Sequence, residues 1–202
     1  MIQVIQGVYQ MSTGGNSFLI DGDDGLTLID CGTPGSVSKI ENAISEIGRT
    51  TADIASILVT HGHMDHFGTA ATLKETSGAR VIASDIDAPV LQGEIPAQPP
   101  PLLRRLGFLT RLMPSPESVL VDHRLAGLWV TTVEDVTAIE TPGHTDGHTS
   151  YLLDRDGGLM FVGDAAVANR SGNVRRGFMN RAEPVFDGSI KKLAELEFDK
   201  AV

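Results

Sequence analysis

The run Ile57 to Thr60, ILVT, is short and wholly apolar, and it leads without a spacer into His61-Gly62-His63-Met64-Asp65-His66. An apolar run of that length, followed by glycine and polar residues, reads as a buried strand. The fold must therefore deliver a cluster of imidazoles and a carboxylate to the carboxyl end of an interior strand. Two more segments make the same demand, because His144 follows the β-type run Val136 to Glu140 and Asp164 follows Leu159 to Val162. In extended backbone alternate residues project to one side, which lets His61, His63 and Asp65 converge while His66 enters from the other side as the chain turns. Imidazole and carboxylate are the ligand set of Zn²⁺, Fe²⁺ or Mn²⁺, and these donors outnumber the positions of one tetrahedral ion. Two ions are expected.

The remainder of the chain supplies short β-type runs and a few helices. Val4 to Gln10, Asn16 to Asp21 and Leu26 to Asp30 read as strands of a meander, separated by Gly14-Gly15 and the polar turn Gly22 to Gly25. Ser36 to Ile47 carries apolar residues at Val37, Ile40, Ala43, Ile44 and Ile47, the stripe of a helix lying on a sheet. Helix is expected over Thr69 to Thr76 and Asp85 to Leu91, with a strand at Arg80 to Ala83 between them. β-Type runs return at Val119 to Val121, Trp129 to Thr132, Val136 to Glu140, Thr149 to Leu153 and Leu159 to Val162; a helix over Gly188 to Leu196 and a strand from Phe198 to Val202 follow. Two β-rich halves with helices suggest two sheets packed face to face, helices outside.

Length and composition fit that picture. A chain of 202 residues is one ordinary domain, and 41% apolar with 21% charged residues is a globular composition. The single domain is expected to span residues 1–202, with a proline-rich insertion or lid at about 95–117. In that insertion Pro96, Pro99, Pro100, Pro101, Pro114 and Pro116 bracket the amphipathic stretch Leu102 to Met113. Its apolar residues could meet an acyl chain, cap the core, or form a homodimer contact, and Arg104, Arg105, Arg175 and Arg176 could meet a substrate carboxylate. A formal charge of −10 disfavours unaided binding to nucleic acid or anionic membranes. The single cysteine, Cys31, excludes an internal disulfide and a thiolate cluster. With no basic-then-apolar leader and no membrane-length apolar run, cytoplasmic localisation is the default expectation.

Thr60 to His66 (THGHMDH), Thr141 to His148 (TPGHTDGH) and Phe161 to Asp164 (FVGD), in this order, resemble the metallo-β-lactamase-fold hydrolase superfamily with its HxHxDH signature. The resemblance covers nearly the whole chain and implies an α+β fold, a four-layer αββα sandwich with the site along one edge of the two sheets. It implies that His61, His63 and His144 hold a first metal, that Asp65 and His66 belong to a second, and that Asp164 bridges both. The family pattern ends with a further histidine in a loop just past a strand like Phe198 to Val202. Its absence before Val202 leads to the expectation that the chain given is truncated at its carboxyl end.

The chemistry expected of such a site is hydrolysis. A bound divalent cation lowers the pKa of water toward ~7 and polarises a carbonyl or phosphoryl oxygen. Asp65 is the expected catalytic carboxylate, orienting the nucleophile and passing a proton to the leaving group. Asp30, at the end of LTLID, is a candidate acceptor for the second nitrogen of a ligand histidine. His148 and Thr145 are read as stabilising their turn, and His123 as exposed. Resemblance places Asp164 where true β-lactamases carry cysteine or serine, which favours a zinc hydrolase of small esters, thioesters or lactones. The alternatives are a mononuclear-iron oxidoreductase of the sulfur-dioxygenase kind and a non-catalytic metal-stabilised binding protein. The expected partner is a small-molecule substrate.

Overall fold

Asn16 to Ile29 shows how the sequence builds the first sheet. Leu19, Leu26 and Leu28 point to one side, and Phe18, Ile20 and Ile29 to the other, so β3 (Asn16–Gly22) and β4 (Gly25–Ile29) are apolar on both faces. Strands of that kind are stable only when both faces are covered. β1 (Ile2–Ile5) and β2 (Val8–Ser12) precede them in an antiparallel meander. The expectation of one strand over Val4 to Gln10 is corrected here. Gly7 adopts φ +71°, a left-handed conformation open to glycine at little cost, and the chain folds back to pair Ile5 with Val8.

The structure is a computed structural model that describes residues 1–97, 115–127, 129–133, 135–168, 174–177 and 183–202. β5 (Ile54–Leu58), β6 (Arg80–Ser84) and β7 (His123–Leu125) extend the first sheet in parallel, giving the order β1-β2-β3-β4-β5-β6-β7. Parallel pairing requires crossover segments. Among these are α1 (Val37–Glu46), then α2 (Met64–Phe67) and α3 (Ala70–Ser77), then α4 (Ala88–Leu91). The second sheet has the order β14-β11-β10-β9-β8, from β8 (Trp129–Val133), β9 (Val136–Glu140), β10 (Thr149–Leu153), β11 (Leu159–Phe161) and β14 (Lys200–Ala201). β12 (Ala166–Ala168) and β13 (Val174–Arg176) form a separate ribbon, and α5 (Glu183–Ala194) precedes β14.

Three apolar layers separate four layers of structure. One joins the first sheet to its helices through Leu19, Ile40, Ile44, Ile57, Leu73 and Val81. The second lies between the sheets, where Phe18 meets Phe161 edge-to-face with centroids 5.0 Å apart, worth about 0.5–1.5 kcal/mol beyond the area buried. The third packs Ile139 and Met160 of the second sheet on Phe186 and Leu193 of α5. This is the expected αββα sandwich. Among the described residues no helix is long and apolar enough to cross a membrane.

Some boundaries differ from the sequence expectation. Val119 to Val121 is extended but unpaired with the sheet. Its buried Val119 and Val121 are explained by docking on α4, with the Val119 N–H donating to the Leu91 carbonyl, and the strand proper begins at His123. The helix expected over Asp85 to Leu91 is confined to Ala88–Leu91, since the Asp87 N–H donates to Ser84 Oγ in a turn. The helix expected over Gly188 to Leu196 begins earlier, at Glu183. The amphipathic stretch Leu102 to Met113, with Arg104 and Arg105, lies outside the described residues, as do the side chains of Arg175 and Arg176.

Candidate metal centre

Strands β4, β5, β9 and β11 each run into a loop at the same edge of the sandwich, and each loop contributes to one cluster. Past β5 the chain bends at Thr60 and Gly62, returns to extended backbone at His63 (φ −88°, ψ 145°) and then enters α2 at Met64. The alternation expected of His61, His63 and Asp65 thus holds for the two histidines and stops before Asp65, which, like His66, sits on the helix. His144 comes from the loop after β9, and Asp164 from the single turn Gly163–Ala165 after β11.

These side chains converge. His61 Nε2 lies 2.9 Å from His63 Nδ1, and His144 Nε2 lies 3.0 Å from the same nitrogen. One ligand atom from each of His61, His63 and His144 lies within 4.8 Å of the others, and the same is true of His61, His66 and Asp164. Asp164 spans both sets, with Oδ2 3.3 Å from His144 Nε2 and Oδ1 3.5 Å from His66 Nε2. Asp65 Oδ2 lies 3.9 Å from His66 Nε2, while Asp65 Oδ1 is buried and has no hydrogen-bond partner among the described residues. All four imidazoles are buried, with exposures of 1% to 7%. Beside them opens a cleft of about 160 Å³ lined by Asn16, Phe18, Phe161, Asp65, His66 and Asp164, among others.

Hydrogen bonds at the back of the rings fix which nitrogens face inward. Asp30, buried at the end of β4, accepts from the Thr60 N–H at 2.8 Å, the Thr60 hydroxyl at 2.7 Å and His66 Nδ1 at 2.7 Å. With its proton given to Asp30, Thr60 Oγ1 accepts from His61 Nδ1 at 3.0 Å, which leaves the His61 Nε2 lone pair aimed into the cluster. Asp30 thus fills the role expected of it, as acceptor for a histidine of the cluster. His148 has the loop role also expected of it. Its Nδ1 pairs with Thr141 Oγ1 at 2.8 Å, and its Nε2 accepts the Asp164 N–H at 3.1 Å. Gly163 permits that approach, since at φ +54° a Cβ there would sit 2.7 Å from the His148 ring nitrogen. His123 is exposed, and Cys31 is a buried core residue whose thiol burial pushes up to about 12.

Two residues escaped the sequence reading. In the sequence Thr60 is only the last residue of an apolar strand, and its hydroxyl directly before the histidine run is its only signal. Asp87, buried at the start of α4, accepts the Gly62 N–H at 3.0 Å and the Thr145 hydroxyl at 3.2 Å. Its distance from the motif along the chain, 25 residues from Gly62, hid it.

The electrostatics suit a cation. Burial and the neighbouring rings of His66, His148, His63 and His144 hold His61 well below the usual histidine value, so its lone pair is free at neutral pH. His66 is the opposite case. Burial opposes its charge, but Asp30, Asp164 and Asp65 overcome burial and raise it to about 9. Burial, only partly countered by His66, raises Asp65. A free lone pair on His61, clustered carboxylates and a buried Asp65 oxygen without a hydrogen-bond partner among the described residues are a donor set that a divalent transition ion fits.

A cation taking His66 Nε2 must displace its proton. Zn²⁺ titrated into metal-free protein at pH 8 should therefore release close to one proton from this residue, falling away as pH rises through about 9. Calorimetry in buffers of different ionisation enthalpy measures that number. An ordinary histidine near 6.5 would release almost nothing at pH 8, and that result would remove the assigned role of Asp30.

Comparison with known proteins agrees with this geometry. The sequence model of the Metallo-beta-lactamase superfamily matches residues 12–201. The "Uncharacterized protein YobT" of Bacillus subtilis is 33% identical over 153 residues, covering 74% of this chain and 61% of that protein. A hydroxyacylglutathione hydrolase of Cereibacter sphaeroides is 32% identical over 149 residues, 74% of this chain and 47% of the enzyme. The chain thus spans about half to three-fifths of the length of these curated relatives. Among solved structures, BJP-1, a subclass B3 metallo-beta-lactamase of Bradyrhizobium japonicum, superposes with a TM-score of 0.75 at 27% identity, covering 100% of this chain and 75% of that one.

Proposed function

The chain belongs to the metallo-β-lactamase superfamily, and from that premise we propose that it is a metal-dependent hydrolase that holds two divalent cations, zinc by preference, and opens a small ester, thioester or lactone. The observation that carries this reading is the gathering of His61, His63, His66, His144 and Asp164 at one edge next to the cleft, where His61 with His63 and His144 forms one three-donor set and His66 with Asp164, beside Asp65, extends the cluster beyond it. His61, His63 and His144 would hold one cation, and Asp65 and His66 the other, with Asp164 reaching both. When bound, such cations supply a water of lowered pKa and an electrophile for the acyl oxygen.

The residues of the chain do the rest. Asp30 and Thr60 hold His66 and His61 in the tautomers that turn Nε2 inward. The Asp65 carboxylate lines the cleft, and its Oδ1, without a partner among the described residues, is left to accept a hydrogen bond from the attacking water and to take its proton. Burial that favours the protonated carboxyl lets Asp65 hold that proton until the departing oxygen or sulfur receives it. Phe18, Ile29 and Phe161 pack behind the cleft, and the carboxylates of Asp65 and Asp164 that line it disfavour a polyanion. A carboxylate at position 164, in place of cysteine or serine, supports an acyl or lactone substrate over a β-lactam.

A panel of thioesters, lactones, aryl esters, phosphodiesters and β-lactams assayed with zinc-loaded protein tests the reading. Turnover is expected on the first three classes, lost on chelation and restored by Zn²⁺. Oxygen uptake with ferrous iron and no hydrolysis, or stoichiometric metal with no turnover on any member, would overturn it.

A further inference from the structure

We propose that Asp87 is a positioning residue that locks the loop carrying His61 and His63 to the loop carrying His144, and so fixes the spacing of that three-imidazole set. The inference rests on the reading of those histidines as cation ligands. One carboxylate oxygen, Asp87 Oδ2, accepts both the Gly62 N–H, from the residue between two of the histidines, and the hydroxyl of Thr145, next to the third. The carboxylate is 6% exposed, and Asp87 is itself held by its N–H to Ser84 Oγ.

Gly147 supplies an independent observation. A Cβ there would lie 2.7 Å from Asp87 Cγ and would also collide with Ser84 Oγ, so the His144 loop approaches Asp87 as closely as it does because this position lacks a side chain. Gly62 also packs against the carboxyl carbon of Asp87, 3.5 Å from a Cβ built there. Three contacts from two loops otherwise far apart in sequence thus meet on one buried side chain. A carboxylate with two donors from two loops is a rigid joint, since leaving either donor unpaired in the interior is costly.

The test compares wild type, Asp87→Ala, Asp87→Asn and Thr145→Val for Zn²⁺ affinity by chelator competition, for the visible spectrum of the Co²⁺ form, and for thermal unfolding of the metal-free form. Asp87→Ala is expected to weaken one Zn²⁺ equivalent by about 10–100-fold, leave the other within about threefold, and alter the Co²⁺ bands. Asp87→Asn keeps an acceptor oxygen and is expected to restore most of the affinity, while Thr145→Val weakens the same equivalent less than Asp87→Ala does. Wild-type affinity in Asp87→Ala overturns the proposal, as does parallel weakening of both equivalents in step with a lowered metal-free Tm. Should Asp87→Ala fail to fold, wild-type affinity and spectrum in Thr145→Val overturn it. If wild type itself takes up no Zn²⁺, the reading of the histidines has failed, and the role of Asp87 falls with it.

Discussion

Asp65→Ala is expected to lower kcat by about 10²–10⁴-fold at equal metal loading, the usual worth of a positioned proton-transfer group, while the metal-free protein stays folded. The two halves of that expectation have different origins. Asp65 Oδ1 is buried and has no partner among the described residues, a condition that costs about 1–3 kcal/mol when nothing satisfies the oxygen. Removing the carboxylate relieves that cost in the metal-free form, so its Tm should hold or rise. In the proposed reaction the same oxygen would handle the proton of the attacking water, so its loss is expected to appear in kcat. Turnover and metal-free unfolding, measured on the same preparation, are expected to move in opposite directions or with no loss of Tm. Wild-type kcat at equal loading would contradict the role, and collapse of the metal-free fold would make Asp65 structural.

Asp30→Asn is expected to have the second largest effect. Asp30 sits at φ +54°, a conformation that asparagine tolerates, so the substitution tests charge and acceptors without new backbone strain. Three donors converge on the carboxylate, from the Thr60 N–H, the Thr60 hydroxyl and His66 Nδ1. An amide cannot accept all three, because its NH₂ must face one of them. Breaking a buried charged pair by altering one partner costs on the order of 3–5 kcal/mol, and weakening an outer hydrogen bond to a ligand histidine costs about 10–100-fold in metal affinity.

The pH dependence of the stability loss identifies its source. His66 is raised in the folded state to about 9 from an ordinary 6.5, so its stabilising contribution is complete below 6.5 and is lost as pH rises through about 9. The stability gap between metal-free wild type and Asp30→Asn, measured by urea unfolding, should therefore be largest near pH 6.5 and shrink above pH 9. A gap that stays constant would mean that His66 carries no extra proton and that the acceptors alone account for the loss.

The sequence made the clustered residues legible because HxHxDH concentrates four of them in one short run at the end of an apolar strand. The strand-end positions of His144 and Asp164 followed from the short β-type runs before them. Asp30 was legible for that reason too, as the polar residue ending LTLID. What stayed hidden depended on contacts between distant segments. Thr60 matters because its hydroxyl is shared between Asp30 and His61, and Asp87 because two loops meet on it; neither fact has a local pattern. The sandwich itself was legible from two β-rich halves, each with helices. The split at Gly7 was not, because a glycine inside an alternating run fits an extended strand as readily as a left-handed turn. Val119 and Val121 misled for a related reason, since an extended segment docked on a helix alternates just as a strand in a sheet does.

The account stands on cations held between the imidazoles and carboxylates at the sandwich edge. Anomalous difference maps from crystals of zinc-loaded protein, recorded above and below the zinc absorption edge, test that directly. The account predicts a peak among His61, His63 and His144 and a second beside Asp65, His66 and Asp164. Full occupancy by zinc elsewhere, with no anomalous density against these side chains, would contradict it.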